Sequence, residues 1–324
     1  MKALLAKSPV GNLRWKEHVS QYSLVLLYAA MFIVLSFTVE NFFTVPNMLG
    51  LALSISQVGM VACAMMLCLA ARDFDLSVGS TVAFAGVLCA TLLAAFDSTA
   101  IAIAGTLLGG AIIGACNGAI IAYLRINALI ATLATMLIVR GLGFIVSDGQ
   151  AVGIAQEGFI ALGNLPLLNV PLPAWITALC FVVFGLVLNR TVFGRNALAI
   201  GGNPEASRLA GINVERTRLL IFLIQGVITA LAGIMLAARI TSGQPNAAQG
   251  FELDVISACV LGGVSLAGGR ASISGVLVGV LIMGTVNNVM NLTNVDAFYQ
   301  YVARGAILLA AVLFDQLKMR REDR

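Results

Sequence analysis

Apolar runs of membrane-spanning length, separated by short polar breaks, fill this chain from residue 21 to residue 316. A helix that crosses a bilayer needs roughly 17–25 residues. By that measure the pattern predicts about ten spans, at 21–39, 48–71, 77–96, 99–124, 127–146, 173–189, 218–240, 251–267, 271–292 and 300–316. The eighth starts at the charged Phe251-Glu252-Leu253-Asp254 and ends in the glycine-rich 261–269, which leaves a full span and a broken or re-entrant helix both open. Irregular backbone at that depth is tolerated only where it is buried in protein or lines a cavity. The predicted fold class is an all-α polytopic membrane protein. It has a segment 1–20, a membrane domain 21–316 interrupted by a basic loop at 190–218, and a basic tail 317–324.

Charge gives the predicted orientation. Loop 147–172 carries Asp148 and Glu157 but no Lys or Arg, and loop 241–250 carries no charge. Basic residues gather at the N-terminus (Lys2, Lys7, Arg14, Lys16), in the 190–218 loop and at the C-terminus. Positive loops stay in the cytoplasm, so both termini and 190–218 are expected inside and the other two loops outside. An even number of spans agrees with that. An imperfect internal repeat is also expected. Asp75-Leu76-Ser77-Val78-Gly79 breaks the chain after the second span as Ser265-Leu266-Ala267-Gly268-Gly269 does after the eighth, the kind of paired interruption that duplicated transporter halves show.

Composition narrows the function classes. A 60% hydrophobic content and 10% charged residues exclude a soluble enzyme, and the net charge of +4 is a topology pattern rather than a nucleic-acid footprint. His18 is the sole histidine and precedes the first span. The six cysteines fall in apolar segments with no CxxC pair, so they are expected as small buried hydrophobes, with no metal site. No G-x-x-x-x-G-K-[ST] occurs, so the chain has no phosphate-cradling loop of its own.

The 190–218 loop holds a water-soluble helix signal. Asn203 suits an N-cap, Pro204 the first helical position and Gly211 the C-terminal stop. Ala206, Leu209 and Ala210 share one face at i, i+3, i+4 spacing, with Glu205 and Arg208 off it. Such a helix is either a solvated loop element or a contact for another protein.

Several polar groups recur within spans. Arg72-Asp73-Phe74-Asp75 ends the second span, and either positions the following break through ion pairs, the favoured reading, or couples protons. Ser54, Gln57, Asn117, Asn127, Thr132, Thr135, Asn287, Asn288 and Asn291 form a polar series that either lines a route for a hydroxylated solute or bonds helix to helix. Arg140 and Arg304, each followed by glycine, are left unassigned between snorkelling, lining a path and contacting an outside partner. Gly110, Gly114 and Gly118, like Gly275 and Gly279, repeat at i+4 and are expected to pack helices closely.

Two of these stretches carry a resemblance. Glu205-Ala206-Ser207 followed by Gly211, within Gly194-Arg195…Asn203…Leu209-Ala210-Gly211, resembles the ATPase-coupling loop of ATP-binding-cassette importer permeases. The proline-bearing end of the general version of that loop is absent, as is usual in the monosaccharide branch. Asp73-Phe74-Asp75-Leu76-Ser77-Val78-Gly79-Ser80 is similar to a signature of sugar permeases, and residues 126–141 and 259–269 extend the likeness across 20–317. Asp73-Phe74, residues 147–154 and Thr241-Ser242-Gly243-Gln244-Pro245 are most like the L-arabinose branch of that family.

The resemblance implies a multi-pass subunit of a bacterial inner membrane and alternating-access import of a monosaccharide, with L-arabinose expected and ribose, xylose or galactose as alternatives. It implies a second copy of the chain, a separate cytoplasmic ATPase that carries the ATP and Mg, and a periplasmic sugar-binding protein. No cofactor is expected on this chain itself. The competing class is an ion-coupled secondary transporter, which would need a carboxylate or carbonyl ion site at mid-span. The predicted mid-span positions carry neither Asp nor Glu.

Overall fold

The computed structural model describes residues 10–322, with side-chain surroundings from 24 to 317. The predicted segment 1–20 lies outside the described residues up to residue 9, and the predicted tail does so from residue 323. The elements run α1 (Val10–Thr38), α2 (Val45–Ala70), α3 (Val78–Phe96), α4 (Thr99–Ala122), α5 (Ala128–Val146), β1 (Val152–Gly153), α6 (Glu157–Asn164), β2 (Pro166–Leu167) and β3 (Val170–Pro171). Then follow α7 (Leu172–Arg190), α8 (Val192–Gly202), α9 (Pro204–Leu209), α10 (Val214–Ile240), β4 (Ser242–Gly243), α11 (Phe251–Leu261), α12 (Ile273–Leu292) and α13 (Ala297–Glu322).

Among the described residues eight helices are long and apolar enough to cross a membrane: α2, α3, α4, α5, α7, α10, α12 and α13. The apolar part of α1 described here is shorter, Leu24–Thr38. Of the two courses open to the eighth segment, the structure shows the broken one. Its helix, α11, has 11 residues, and a bend with Gly263, Gly268 and Gly269 at positive φ follows it.

The core forms around α2. Every residue from Gly59 to Ala71 is buried, because a helix apolar on all sides gains most at the centre of a bundle. It packs against α7, α10, α11 and α12. The most extensive helix pair is α4 with α10, and the glycine stripe explains it. A side chain at Gly110, Gly114 or Gly118 would run into the α10 backbone at Gly226, Phe222 or Leu219. Gly275 and Gly279 admit α11 in the same way, at Gly262 and Ala258. Small faces let backbones approach where lipid gives no hydrophobic drive between helices. By contrast, α5 and α13 keep exposed apolar faces, among them Leu133, Leu137 and Ile138, and Val302, Leu309 and Phe314.

One expectation gains detail and another needs correction. Loop 147–172 is ordered, holding β1, the helix α6 and a β2–β3 hairpin. β1 also pairs with β4, Val152 opposite Gly243, so the two charge-poor loops are joined at one end of the bundle. Two-residue strands are too short for alternation to register in a sequence. Five cysteines are buried, but Cys116 is exposed, on the side of α4 turned away from α10.

Candidate functional site

The soluble loop folds into two helices rather than one. Thr191 ends α7 and caps α8, accepting from the Gly194 amide at 3.2 Å. Gly194 and Gly201 seat α8 tightly: a side chain at the first would strike Val187 and Leu188, and at the second the Ala70 carbonyl and the Gly269 amide. Arg195 lies on the exposed side of α8. Asn203 then closes α8 and caps α9, its side chain accepting from the Ala206 amide at 3.0 Å. Pro204 takes the first turn and Gly211 follows α9 at φ 84°, where a β-carbon is disfavoured. Arg208 joins Glu205 at 2.5 Å and Glu215 of α10 at 2.7 Å, tying the short helix to the bundle. Ser207 faces inward, whereas Ala206, Leu209 and Ala210 point out, Leu209 with 92% of its surface exposed. The short helix thus holds an apolar face outward on a capped, ion-paired frame.

Residues 71–79 form the second part of the site. Asp75 Oδ1 accepts from the Ser77 amide at 2.9 Å and its hydroxyl at 2.5 Å, folding the turn that starts α3. Ser77 Oγ accepts from Asn117 Nδ2 at 3.0 Å, and Asn117 Oδ1 accepts from Thr135 at 2.6 Å. Thr132 bonds the Ala128 carbonyl at 2.8 Å and reaches the Phe74 carbonyl at 3.4 Å. The turn is thereby fixed to α4 and α5. Asp73 meets Arg218 of α10, not Arg72, with Nε and Oδ2 3.0 Å apart but off the N–H axis, a charge contact without a formed hydrogen bond. Burial pushes the Asp73 carboxyl up to about 6, against the opposing pull of Arg218. Burial likewise raises Asp75 while the Ser77 bonds lower it. At Gly79 a side chain would meet the Glu252 carboxylate and the Ala248 carbonyl.

The remaining polar candidates have separate hydrogen-bond partners, while Ser54 and Asn287 line one cavity. Asn127 caps α5 and is exposed, accepting from the Leu129 amide at 2.9 Å. Asn288 pairs reciprocally with Asn47 at 2.8 and 3.0 Å, and Asn291 accepts from Gln300 at 3.0 Å. Ser54 bonds the Leu51 carbonyl at 2.9 Å, and buried Gln57 leaves its Nε2 without a protein partner. Asn287 Oδ1 accepts from Arg304 Nε at 3.2 Å, and Arg304 Nη1 stands 3.2 Å from Asp254 Oδ2. Arg140 Nη1 donates to the Pro245 and Ala247 carbonyls, each at 2.7 Å. Among the described residues no group of three or more His, Cys, Asp or Glu is arranged to hold a metal.

With this geometry in place, comparison with known proteins decides the family. The model of the branched-chain amino acid transport system / permease component family matches residues 47–312. The chain belongs to that permease family. It is 56% identical to the L-arabinose transport system permease protein AraH of Escherichia coli (strain K12), over 97% of this chain and 95% of that one. It is 52% identical to the L-arabinose ABC transporter permease protein AraH of Azospirillum brasilense, over 93% and 88%. To the ribose import permease protein RbsC of E. coli (strain K12) it is 39% identical, over 93% and 94%. No solved structure matches it. It is a multi-pass protein of the inner membrane.

The permease also holds functional-looking groups that sequence reading missed. Helix α8 was hidden in a loop with few long apolar runs, although Thr191 followed by Gly194 was a cap signal. Glu252 and Asp254 were given no role beyond the charged start of the eighth span, yet both tuck between helices, Asp254 only 9% exposed. Their signal was the arginines one helix away: intramembrane cations need partners.

Proposed function

We propose that the chain is the membrane subunit of an ATP-driven importer that moves L-arabinose by alternating access. The observation that carries the reading is the 56% identity over 97% of the chain to an L-arabinose permease, against 39% to a ribose permease. ATP and Mg²⁺ belong to a separate ATPase, and two copies of the chain enclose the route. The termini and the 190–218 loop face the cytoplasm. The β1–β4 end faces the periplasm, where a sugar-binding protein docks.

In this reading α9 is the contact for the ATPase. Its exposed Ala206, Leu209 and Ala210 enter the partner, and Arg208–Glu215 passes the load to α10. From α10 the Arg218–Asp73 contact reaches the 71–77 turn. That turn holds Asn117 and Thr135 across α4 and α5, so movement of the docking helix tilts several spans together.

Reconstituted vesicles test the proposal. L-arabinose uptake is expected only when the ATPase, ATP and a cognate binding protein are all present, and is expected to be indifferent to proton or sodium gradients. Uptake driven by a gradient without ATP would identify a secondary transporter instead. Uptake of ribose alone, with each matching binding protein supplied, would retain the importer and refute the sugar.

A further inference from the structure

We propose that a cavity between α2, α11 and α12 is a transient monosaccharide-binding station, built from Ser54, Asp254 and Asn287 and organised by Arg304. The inference rests on the sugar-importer reading above and adds the site of contact. The cavity measures about 50 Å³, room for a few waters or one hydroxyl-bearing edge of a sugar ring, and it is open at Ser54, which is exposed. Its walls are mainly apolar, with Met283 and Val280 beside the three polar side chains. A mostly apolar wall with a few convergent polar groups is how small-molecule sites are made.

The polar set has complementary free valences. Ser54 gives its proton to the Leu51 carbonyl, so its oxygen faces a ligand as an acceptor. Asn287 has its carbonyl occupied by Arg304 Nε, which leaves the amide nitrogen to donate. Asp254 meets Arg304 through one oxygen only, at 3.2 Å, so its carboxylate keeps accepting capacity. Sugar hydroxyls both donate and accept. Neighbouring hydroxyls of a pyranose therefore satisfy Asp254 and Ser54 as donors while accepting from Asn287.

Two facts separate this arrangement from a structural ion pair. An ion pair that serves only to hold helices is best sealed and doubly bonded, since charges inside a membrane domain are costly. This one is made through a single contact and is partly open, Arg304 31% and Asp254 12% exposed along their side chains. Depth is the second. Ser54 is nine residues inside α2, Asn287 five from the end of α12 and Arg304 seven inside α13. At 1.5 Å per residue these lie about 8–14 Å below one end of the bundle. By the orientation proposed above that end is the periplasmic mouth, so a sugar released by its binding protein would meet the station early. Few bonds in a small cavity give weak binding, in the millimolar range, which suits a solute that must leave again.

The test uses the reconstituted complex without ATP or binding protein, in a Cys116→Ser background that removes the exposed thiol. A Ser54→Cys variant is labelled with a small thiosulfonate reagent, with and without L-arabinose. At a concentration ten times its dissociation constant the sugar leaves about a tenth of sites free, so labelling should slow about tenfold. Asp254→Asn or Asn287→Ala, added to that variant, should remove the protection, and glycine betaine at equal osmolality should give none. If Ser54→Cys does not assemble with its ATPase, Met283→Cys reports on the same cavity. Sugar uptake by the complex before cysteine replacement, measured in parallel, separates the two ideas. Uptake with labelling blind to sugar overturns the station and leaves the importer. Protection that survives Asp254→Asn and Asn287→Ala also overturns it. Absence of both uptake and protection overturns both.

Discussion

Leu209→Ala tests the docking role proposed for α9, because the residue has almost nothing to lose within its own chain. With 92% of its surface exposed, Leu209 makes few internal contacts, and the substitution should leave the permease's own stability within about 0.5 kcal/mol. At a buried contact with the ATPase the same change removes about three methylene equivalents at about 0.8 kcal/mol each, about 2.4 kcal/mol per copy. That weakens docking roughly fiftyfold at each α9. Leu209→Glu should be more severe, since a carboxylate must be desolvated at the contact without a partner. The assay is copurification of the ATPase with detergent-solubilised permease, followed by ATP-driven uptake in vesicles, with a thermal melt of the permease alone. Normal copurification and uptake by both variants would refute the docking assignment. So would a large loss of stability in the isolated permease, which would make Leu209 a core residue.

Three further outcomes are expected. Cysteine introduced at Gly158, an exposed α6 position, should be labelled from outside intact cells and one at Asn203 only from inside; outside access at 203 reverses the topology. The Asp73 carboxyl, raised to about 6 by burial from an ordinary 3.8, is protonated in the folded protein over a pH range where the unfolded chain has released its proton. Stability should therefore fall by roughly 3 kcal/mol as pH rises from about 4 to 6 and then level off, and an Asp73→Asn variant should lack this component in pH-dependent melts. Gly201→Ala should destabilise by about 2–5 kcal/mol, from overpacking against Ala70 and loss of the Gly269–Ala70 hydrogen bond, visible as a lowered melting temperature; an unchanged melt would mean that the seat is loose.

Much of the fold was legible because lipid leaves a chain few options. Run length alone located the eight long spans, and the glycine repeats of α4 and α12 announced their close neighbours. The N-cap at Asn203, Pro204 and Gly211 defined α9 to within a residue at each end. What failed to register depends on partners far apart in sequence. Asn117, Thr132 and Thr135 belong with Ser77 and Phe74, while Asn287 belongs with Arg304 and Asp254; their residue types are alike and only the fold sorts them. The same holds for Asp73, whose partner is 145 positions away at Arg218 rather than next door at Arg72. Arg72 sits at φ 66°, in the turn that separates those two neighbours.

The end of α2 and the bend after α11 both meet α8 at Gly201, and this gives the coupling proposed for the 190–218 loop a second line of action. The Gly269 amide donates to the Ala70 carbonyl at 2.9 Å, so the bend after α11 is bonded directly to the last turn of α2. Gly201 lies against both, with no room for a β-carbon between them. Close-packed backbone transmits displacement better than flexible side chains do, because neither surface can yield by changing rotamer. A push on α9 therefore reaches α10 through Arg208–Glu215, and reaches α2 and the α11–α12 bend through Gly201. The helix α11 carries Asp254 near its opposite end, ahead of the bend whose first positive-φ glycine is Gly263, and α2 carries Ser54. The elements moved by the second route are thus the walls of the proposed sugar station, which links ATPase contact to the width of that cavity without any shared side chain.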